Sequence, residues 1–199
     1  MARMSRTIAP VAIIALALSA LGAPAAHAAD PVTIDIVTVN DFHGRLEASG
    51  SAAGAAMLGG MVNSYRAANP NTVFVAAGDM IGASTFTSFI QQDLPTIDAF
   101  NQMGLDASAF GNHEFDGGRE DVDTRILPAA DWDYLSANLY DRTTGLPAYQ
   151  EYSLEQFGDV TVGFIGAVTD ELPSLVSPAG ISTLEVRPVT PEVNRVADQ

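Results

Sequence analysis

The sequence has no cysteine, no lysine and only three histidines among its 199 residues. Without cysteine there can be no disulfide framework, no thiolate metal site and no cysteine nucleophile. The nine positive side chains, all arginine, face 24 acidic ones, and the formal net charge is −15. This balance argues against binding to DNA, RNA or an anionic membrane through a general positive field. Any chemistry must therefore use carboxylates, hydroxyls, amides, arginine or histidine.

The N-terminal segment has the pattern of an export signal. Arg3 and Arg6 precede an apolar run over residues 11–21, and Ala26-His27-Ala28 provides a small-x-small cleavage site. A transmembrane anchor is the competing interpretation, but spanning a bilayer needs about 20 apolar residues and this run is shorter. The sequence thus predicts a signal peptide over 1–28 and a secreted chain over 29–199, with no stable membrane insertion after cleavage.

The remaining chain alternates short apolar strands with helical patterns. Strands are predicted over 32–39, 72–77, 107–110, 134–139 and 161–167, and helices over 56–68, over 94–103 and from Thr190 onward. The run over 72–77 is almost wholly apolar, which is typical of a strand covered on both faces of a sheet. Alternation of this kind predicts an α/β protein with a mainly parallel sheet.

Polar clusters follow the first three predicted strands. They are Asn40-Asp41-Phe42-His43-Gly44, Gly78-Asp79 and Gly111-Asn112-His113-Glu114-Phe115-Asp116. Because the carboxyl ends of parallel strands share one edge of the sheet, we expect these clusters to converge. Taken singly, each aspartate is better explained as a cap or turn former, and each histidine as an ordinary polar loop residue. The combination of all three clusters is far more specific.

These motifs resemble those of the calcineurin-like metallophosphoesterases, and within them the exported 5′-nucleotidase family. The segments 38–45 and 111–116 carry the resemblance, and the segment 162–169 is also similar. The resemblance begins at Thr33 and extends over the front part of the family's catalytic domain. It implies an α/β/β/α sandwich, of which this chain would hold the first sheet and its helices, with the second sheet largely missing.

The resemblance also implies roles for six residues. Asp41 and His43 would hold one divalent ion, Asp79 would bridge two ions, and the amide of Asn112 would hold the second. Mixed oxygen and nitrogen ligands suit Zn or Mn better than Ca. The substrate would be a nucleotide or another phosphomonoester, not a nucleic-acid polymer, bound through Asn112 and His113.

The resemblance makes His113 the residue that contacts the phosphate and assists the leaving group, oriented by Asp116. Asp116 could also cap a helix that begins near Gly118, and this role is compatible with orienting His113. The neighbouring acids lack the spacing of a calcium-binding loop, so a solvated acidic face is predicted for them. These acids are Glu120, Asp121, Asp123, Asp131 and Asp133.

The family draws further metal ligands from later histidines, and this sequence has no histidine after His113. We therefore expect an N-terminal fragment with an incomplete second metal site. Three hypotheses stay open: a two-metal phosphoesterase, a catalytically inactive secreted domain with at most a weak metal site, and an acidic interaction protein with vestigial motifs.

Overall fold

A computed structural model describes residues 31–199, and the predicted signal peptide over 1–28 lies outside these residues. The strands are β1 Asp35–Val39, β2 Thr72–Ala76, β3 Ala107–Ala109, β4 Asp133–Leu135, β5 Leu139–Asp141, β6 Tyr152–Phe157, β7 Val160–Ile165 and β8 Leu184–Val186. The helices are α1 Gly54–Ala68, α2 Phe86–Phe89, α3 Leu94–Met103, α4 Gly118–Asp121, α5 Leu127–Ala129, α6 Leu172–Leu175 and α7 Val189–Ala197. A 3₁₀ turn spans His113–Phe115, and a π-helical segment over Val122–Ile126 joins α4 to α5.

A four-stranded parallel sheet organises the chain, in the order β1-β2-β3-β4. Val73 and Phe74 of β2 are buried, as expected for an apolar strand at the centre of a sheet covered on both faces. The predicted α/β class and the parallel sheet are confirmed. In residues 31–199, no helix combines the length and apolar character needed to cross a bilayer.

An aromatic cluster forms the core beneath one face of this sheet. Phe100 of α3 is fully buried, and its ring lies 4.9 Å from that of Phe42 and 6.1 Å from that of Phe74, measured between centroids. Helix α3 has the predicted bounds because Gly104 ends it in the left-handed conformation that glycine adopts readily. Arg66 of α1 donates hydrogen bonds to the carbonyls of Met103 and Gly104, which fixes α1 to the end of α3.

The prediction of one strand over 134–139 was wrong. The chain forms β4, breaks at Ser136–Asn138, and then forms β5, which pairs antiparallel with β8. Asn138 explains the break, because its buried side chain donates to the carbonyls of Val168 and Arg187 and accepts from the N–H of Val168. These bonds redirect the chain out of the parallel sheet.

The strand predicted over 161–167 exists as β7, but it belongs to an antiparallel hairpin with β6. The sequence analysis missed strand β6, although the alternation of apolar Tyr152 and Leu154 with polar Ser153 and Glu155 was a usable signal. Beyond the parallel sheet, the strands of residues 31–199 form two small antiparallel pairs. A large second sheet is therefore absent from the described chain, as expected.

Candidate metal centre

Loops that leave β1, β2 and β3 meet at the carboxyl edge of the parallel sheet. The first two loops are joined by backbone hydrogen bonds that continue beyond the strands. The N–H of Asp41 donates to the carbonyl of Gly78 at 3.2 Å, and that of His43 donates to the carbonyl of Asp79, also at 3.2 Å. This pairing brings the predicted polar clusters side by side.

Three side chains at this edge have the chemistry and spacing to bind a cation. Asp41, His43 and Asp79 each offer one ligand atom, and these atoms all lie within 4.8 Å of one another. The Nε2 atom of His43 lies 3.7 Å from Oδ1 of Asp41. Two carboxylates and one imidazole are a donor set that suits Zn or Mn, so the residues present fit a divalent ion.

The ring of His43 is held in the orientation that a metal ligand needs. Its Nδ1 atom lies 2.8 Å from the carbonyl oxygen of Gly82. Because a carbonyl oxygen only accepts, Nδ1 is the hydrogen-bond donor in this contact, which leaves Nε2, the atom that faces Asp41, as the nitrogen available to a metal ion. A backbone carbonyl is a common partner for the second nitrogen of a metal-binding histidine.

The backbone at the candidate ligands is left-handed, which is uncommon for residues other than glycine. The φ angles are 51° at Asp41, 50° at His43 and 54° at Asp79. Such conformations persist only where surrounding contacts enforce them, and they concentrate at functional sites. Here the hydrogen bonds between the first two loops provide that enforcement.

His113 and Asp116 form a hydrogen-bonded pair beside the three candidate ligands. Their Nδ1 and Oδ2 atoms are 2.9 Å apart, and the rings of His113 and His43 lie edge to face with centroids 5.0 Å apart. Partial burial alone would lower the pKa of His113, but the hydrogen bond and charge of Asp116, with further carboxylates, raise it above its ordinary value. The N-cap residue of α4 is Gly117, so the alternative role of Asp116 as the helix cap is not the one observed.

The third loop is also tied to the candidate ligands through its backbone. The N–H of His113 donates to Oδ1 of Asp79 at 2.9 Å. Asn112 is half-buried and comes directly before His113, at the start of the 3₁₀ turn. Its predicted roles as a metal ligand and substrate contact stay predictions.

Glu114 is a residue whose role the sequence reading missed, although it lies within the third motif. Its side chain is fully buried, and its carboxylate accepts hydrogen bonds from the N–H groups of Asp79, Met80 and Gly111. Burial raises the pKa of Glu114 to about 7, while the hydrogen bonds from the backbone oppose that rise. The third motif contains Glu114, but only the folded structure shows which backbone N–H groups its side chain contacts.

Asp93 is a second buried carboxylate that the sequence reading did not single out. It accepts hydrogen bonds from the N–H of Gly82 at 3.2 Å and from the hydroxyl of Ser88 at 2.6 Å. Since the carbonyl of Gly82 holds the ring of His43, Asp93 supports that ligand indirectly. Its position just before α3 indicates an N-cap, but its side chain makes no capping hydrogen bond, so the sequence held no signal for the observed role.

The acidic stretch after the third motif is not simply solvated. Arg119 contacts Asp123 at 3.2 Å and Asp141 at 2.6 Å, and Arg125 pairs with Asp121 at 2.5 Å. The prediction of a solvated acidic face was therefore incomplete, because helical i,i+4 spacing supplies arginine partners for two of these acids. The candidate metal centre differs: within residues 31–199, no arginine pairs with Asp41, Asp79 or Glu114.

Comparisons with known proteins agree with this geometry, although no protein-family model matches the chain. It is 35% identical over 189 residues to the cell wall protein Lmo0130 of Listeria monocytogenes, covering 78% of this chain and 24% of that protein. It is 33% identical over 202 residues to the 5′-nucleotidase of Bos taurus, covering 92% of this chain and 34% of that enzyme. The chain thus spans about a quarter of the length of the first relative and about a third of the length of the second.

Among solved structures, the calcineurin-like phosphoesterase YfkN from Bacillus subtilis superposes with a TM-score of 0.69 at 24% identity. The match covers 82% of this chain and 56% of that structure, and it shows the shared fold. The fold and the matching relatives confirm the resemblance seen in the motifs. The chain belongs to the metallophosphoesterase 5′-nucleotidase family and corresponds to the N-terminal part of its members.

Proposed function

We propose that this chain carries the first part of an extracytoplasmic, metal-dependent phosphomonoesterase of the 5′-nucleotidase type. The observation that carries the proposal is the placement of a three-residue ligand group, Asp41, His43 and Asp79, beside the hydrogen-bonded pair His113 and Asp116. Phosphoester hydrolysis needs a cation that binds the phosphate and a general acid that protonates the leaving group, and a cation site beside an imidazole can provide both.

The candidate ligands divide between two ions in this proposal. Asp41 and His43 would hold the first ion, Asp79 would bind both ions, and Asn112 would offer its amide oxygen to the second. Zn or Mn fits this donor set. When bound, a pair of such ions clamps the phosphate and lowers the pKa of a water molecule into the nucleophilic range.

His113 supplies the proton chemistry of the proposed reaction. Asp116 fixes the proton on Nδ1, so that Nε2 is the atom presented to the substrate. The raised pKa of His113 favours the protonated ring. Such a ring can donate a hydrogen bond to a phosphate oxygen and then transfer its proton to the departing alkoxide oxygen, which leaves as the alcohol. The amide group of Asn112 provides a second contact to the phosphate.

The substrate class and location follow from the relatives. The bovine relative is named 5′-nucleotidase, which favours nucleoside monophosphates as substrates here. The Listeria relative is named a cell wall protein, and together with the predicted signal peptide over 1–28 this favours export. A net charge of −15 disfavours a nucleic-acid polymer as substrate.

A catalytically inactive domain with one weak metal site is the second candidate. It is favoured by the compact group of three ligand residues and by the lack of any histidine after His113 in the sequence. Under this alternative a single ion binds at Asp41, His43 and Asp79 without turnover. The expectation that the chain is an N-terminal fragment stays a prediction.

Calorimetry and phosphate release distinguish the two candidates. We expect the purified chain over 29–199 to bind Mn²⁺ or Zn²⁺, and Asp79→Asn to weaken binding by at least about 100-fold, since even changes outside the ligand set cost 10–100-fold. Asp106→Asn is the matched control, because Asp106 lies at the opposite edge of the sheet. Release of phosphate from 5′-AMP above the level of His113→Ala supports the enzyme.

Two other outcomes bear on the two candidates. Metal binding without phosphate release favours the inactive single-metal domain for this chain taken alone. Absence of metal binding in the unmodified chain contradicts both candidates, because each requires Asp41, His43 and Asp79 to hold an ion.

A further inference from the structure

We propose that Glu114 is a positioning residue, which holds Asp79 in the orientation that the metal centre and His113 require. This inference deepens the proposed function and rests on it where it concerns metal. The hydrogen bonds that the carboxylate of Glu114 accepts come from backbone N–H groups, not from the ring of His113 or from the candidate metal-ligand atoms. Glu114 acts on them through the backbone of the second and third loops.

The contacts of Glu114 join those two loops. Its Oε2 atom accepts from the N–H of Asp79 at 3.0 Å and from that of Gly111 at 2.7 Å, while Oε1 accepts from the N–H of Met80 at 2.9 Å. One carboxylate thus satisfies three backbone donors that β2 and β3 leave beyond their ends. Buried N–H groups need such partners, and here a side chain provides all of them.

The fit around Glu114 is close enough to leave little freedom. A Cβ atom on Gly78 would lie 2.3 Å from the nitrogen of Gly111, and one on Gly111 would lie 2.2 Å from Oδ1 of Asp79. The two loops therefore approach each other at positions where only glycine fits. Asp79 itself holds a left-handed φ of 54°, a conformation that its neighbours must enforce.

Asp79 transmits this constraint to the catalytic pair. Its Oδ1 atom accepts the N–H of His113, and the same carboxylate contributes a ligand atom to the group with Asp41 and His43. A shift of the Asp79 backbone would move both partners at once. Glu114 is thus placed to set the distance between the metal centre and His113.

Asp106 provides a matched comparison at the opposite edge of the same sheet. Its Oδ2 atom accepts the N–H of Phe74 at 2.7 Å and lies 3.5 Å from Arg66. Asp106→Asn therefore removes a carboxylate that also anchors a strand of this sheet but is remote from Asp79. Any effect shared by both variants is structural, and any effect confined to Glu114 is positional.

The test compares Glu114→Gln with Asp106→Asn at a pH above the pKa of Glu114. Glutamine keeps the shape but has one acceptor oxygen, so at least one N–H group of Asp79, Met80 or Gly111 faces an amide NH₂. The first readout is the rate of hydrogen exchange at the backbone amide of His113, which NMR measures in the presence of a chelator. Glu114 does not touch that amide, so its exchange reports the position of Asp79.

We expect exchange at His113 to be faster by about tenfold or more in Glu114→Gln and unchanged in Asp106→Asn, as for a local opening. The second readout is Mn²⁺ affinity, expected to fall by about 10–100-fold in Glu114→Gln alone. Equal effects of the two variants on both readouts would overturn the positioning role, as would no change at His113.

Two further arms keep the result decisive. If the unmodified chain binds no Mn²⁺, the proposed function fails, and exchange at His113 alone then decides the role of Glu114. If Glu114→Gln does not fold, Glu114→Asp replaces it, because aspartate keeps the charge but is one methylene short of its three donors. Faster exchange at His113 supports the proposal in that variant too, and wild-type exchange contradicts it.

Discussion

Asp106, at the amino edge of the parallel sheet, differs in its partners from three carboxylates at the carboxyl edge. At the amino edge, Asp106 accepts one backbone N–H and lies 3.5 Å from the guanidinium of Arg66, so its charge is balanced. At the carboxyl edge, Asp41, Asp79 and Glu114 have no arginine partner within residues 31–199. Like charges brought together in this way are unfavourable unless a proton or a cation compensates them.

Backbone conformation also differs between the two edges, because positive φ angles at residues other than glycine occur near the carboxyl edge. Six residues other than glycine have positive φ in residues 31–199, and all lie in segments that follow β1 or β2. They are Asp41, His43, Asp79, Ala83, Gln92 and Asp93. Regular structure at the amino edge needs no such conformations. At the carboxyl edge, positive φ angles therefore coincide with carboxylates that have no arginine partner in residues 31–199. This pattern is expected where residues serve ligand binding as well as folding.

The largest expected effect tests whether the core supports the carboxyl edge. Phe42 lies between Asp41 and His43, is 8% exposed, and packs against Phe100. Phe42→Ala is expected to lower the free energy of unfolding by about 3–5 kcal/mol, the cost of removing a buried aromatic ring. Urea denaturation measures the change.

Leu154→Ala is the control for that prediction. Leu154 is 61% exposed on the β6–β7 hairpin, so its truncation should change the free energy of unfolding by no more than about 0.5 kcal/mol. Equally small effects of the two substitutions would show that the first loop does not depend on the core.

The next effect in size is a dependence of stability on pH that belongs to the carboxyl edge. Burial raises the pKa of Glu114 to about 7. Between the pKa of the unfolded chain and this value, the folded state binds the proton more tightly, so stability falls as pH rises. The fall amounts to roughly 3 kcal/mol, at 1.36 kcal/mol per pKa unit.

Glu114→Gln removes the titrating group and should lack that part of the slope, whereas Asp106→Asn should retain it. The difference is measured by urea unfolding across this pH range, in the presence of a chelator, for the unmodified chain, Glu114→Gln and Asp106→Asn. Parallel curves for the unmodified chain and Glu114→Gln would contradict the assignment of the raised pKa.

The smallest expected effect concerns the protonation of His113. Asp116→Asn removes both the hydrogen-bonding carboxylate and its charge, so the pKa of His113 should fall toward its ordinary value. NMR titration of the imidazole in the metal-free chain measures this shift. Asp106→Asn should leave the raised pKa of His113 unchanged. An unchanged pKa in Asp116→Asn would mean that other carboxylates, and not Asp116, raise the pKa of His113.

Local sequence signals were sufficient for helices α1 and α3 and for strands β1, β2 and β3 of the parallel sheet. Helix α3 kept its predicted bounds because Leu94-Pro95 and Gly104 mark its start and end through backbone conformation alone. The strand predicted over 134–139 failed because the break depends on Asn138, whose partners at Val168 and Arg187 are distant in sequence. Long-range hydrogen bonds of this kind leave no local pattern.

The candidate site divides in the same way. Asp41, His43, Asp79, Asn112, His113 and Asp116 stand in recognisable motifs, and the rule that parallel strands share a carboxyl edge predicts their convergence. The supporting carboxylates Glu114 and Asp93 could not be assigned roles, since the contacts by which they act on the site are with backbone N–H groups. Any residue offers such a group, so the sequence cannot show which one a side chain will find.

The sequence by itself determined the residue types available, the alternation of strands and helices, and the family, because these depend on composition and short motifs. Only the tertiary structure decided that Oδ1 of Asp79 accepts the N–H of His113, that Gly82 orients the ring of His43, and that the buried carboxylate of Glu114 accepts three backbone N–H groups. The physical reason is that these features depend on distances between separate loops. Such distances arise only when the sheet assembles and the core packs beneath it.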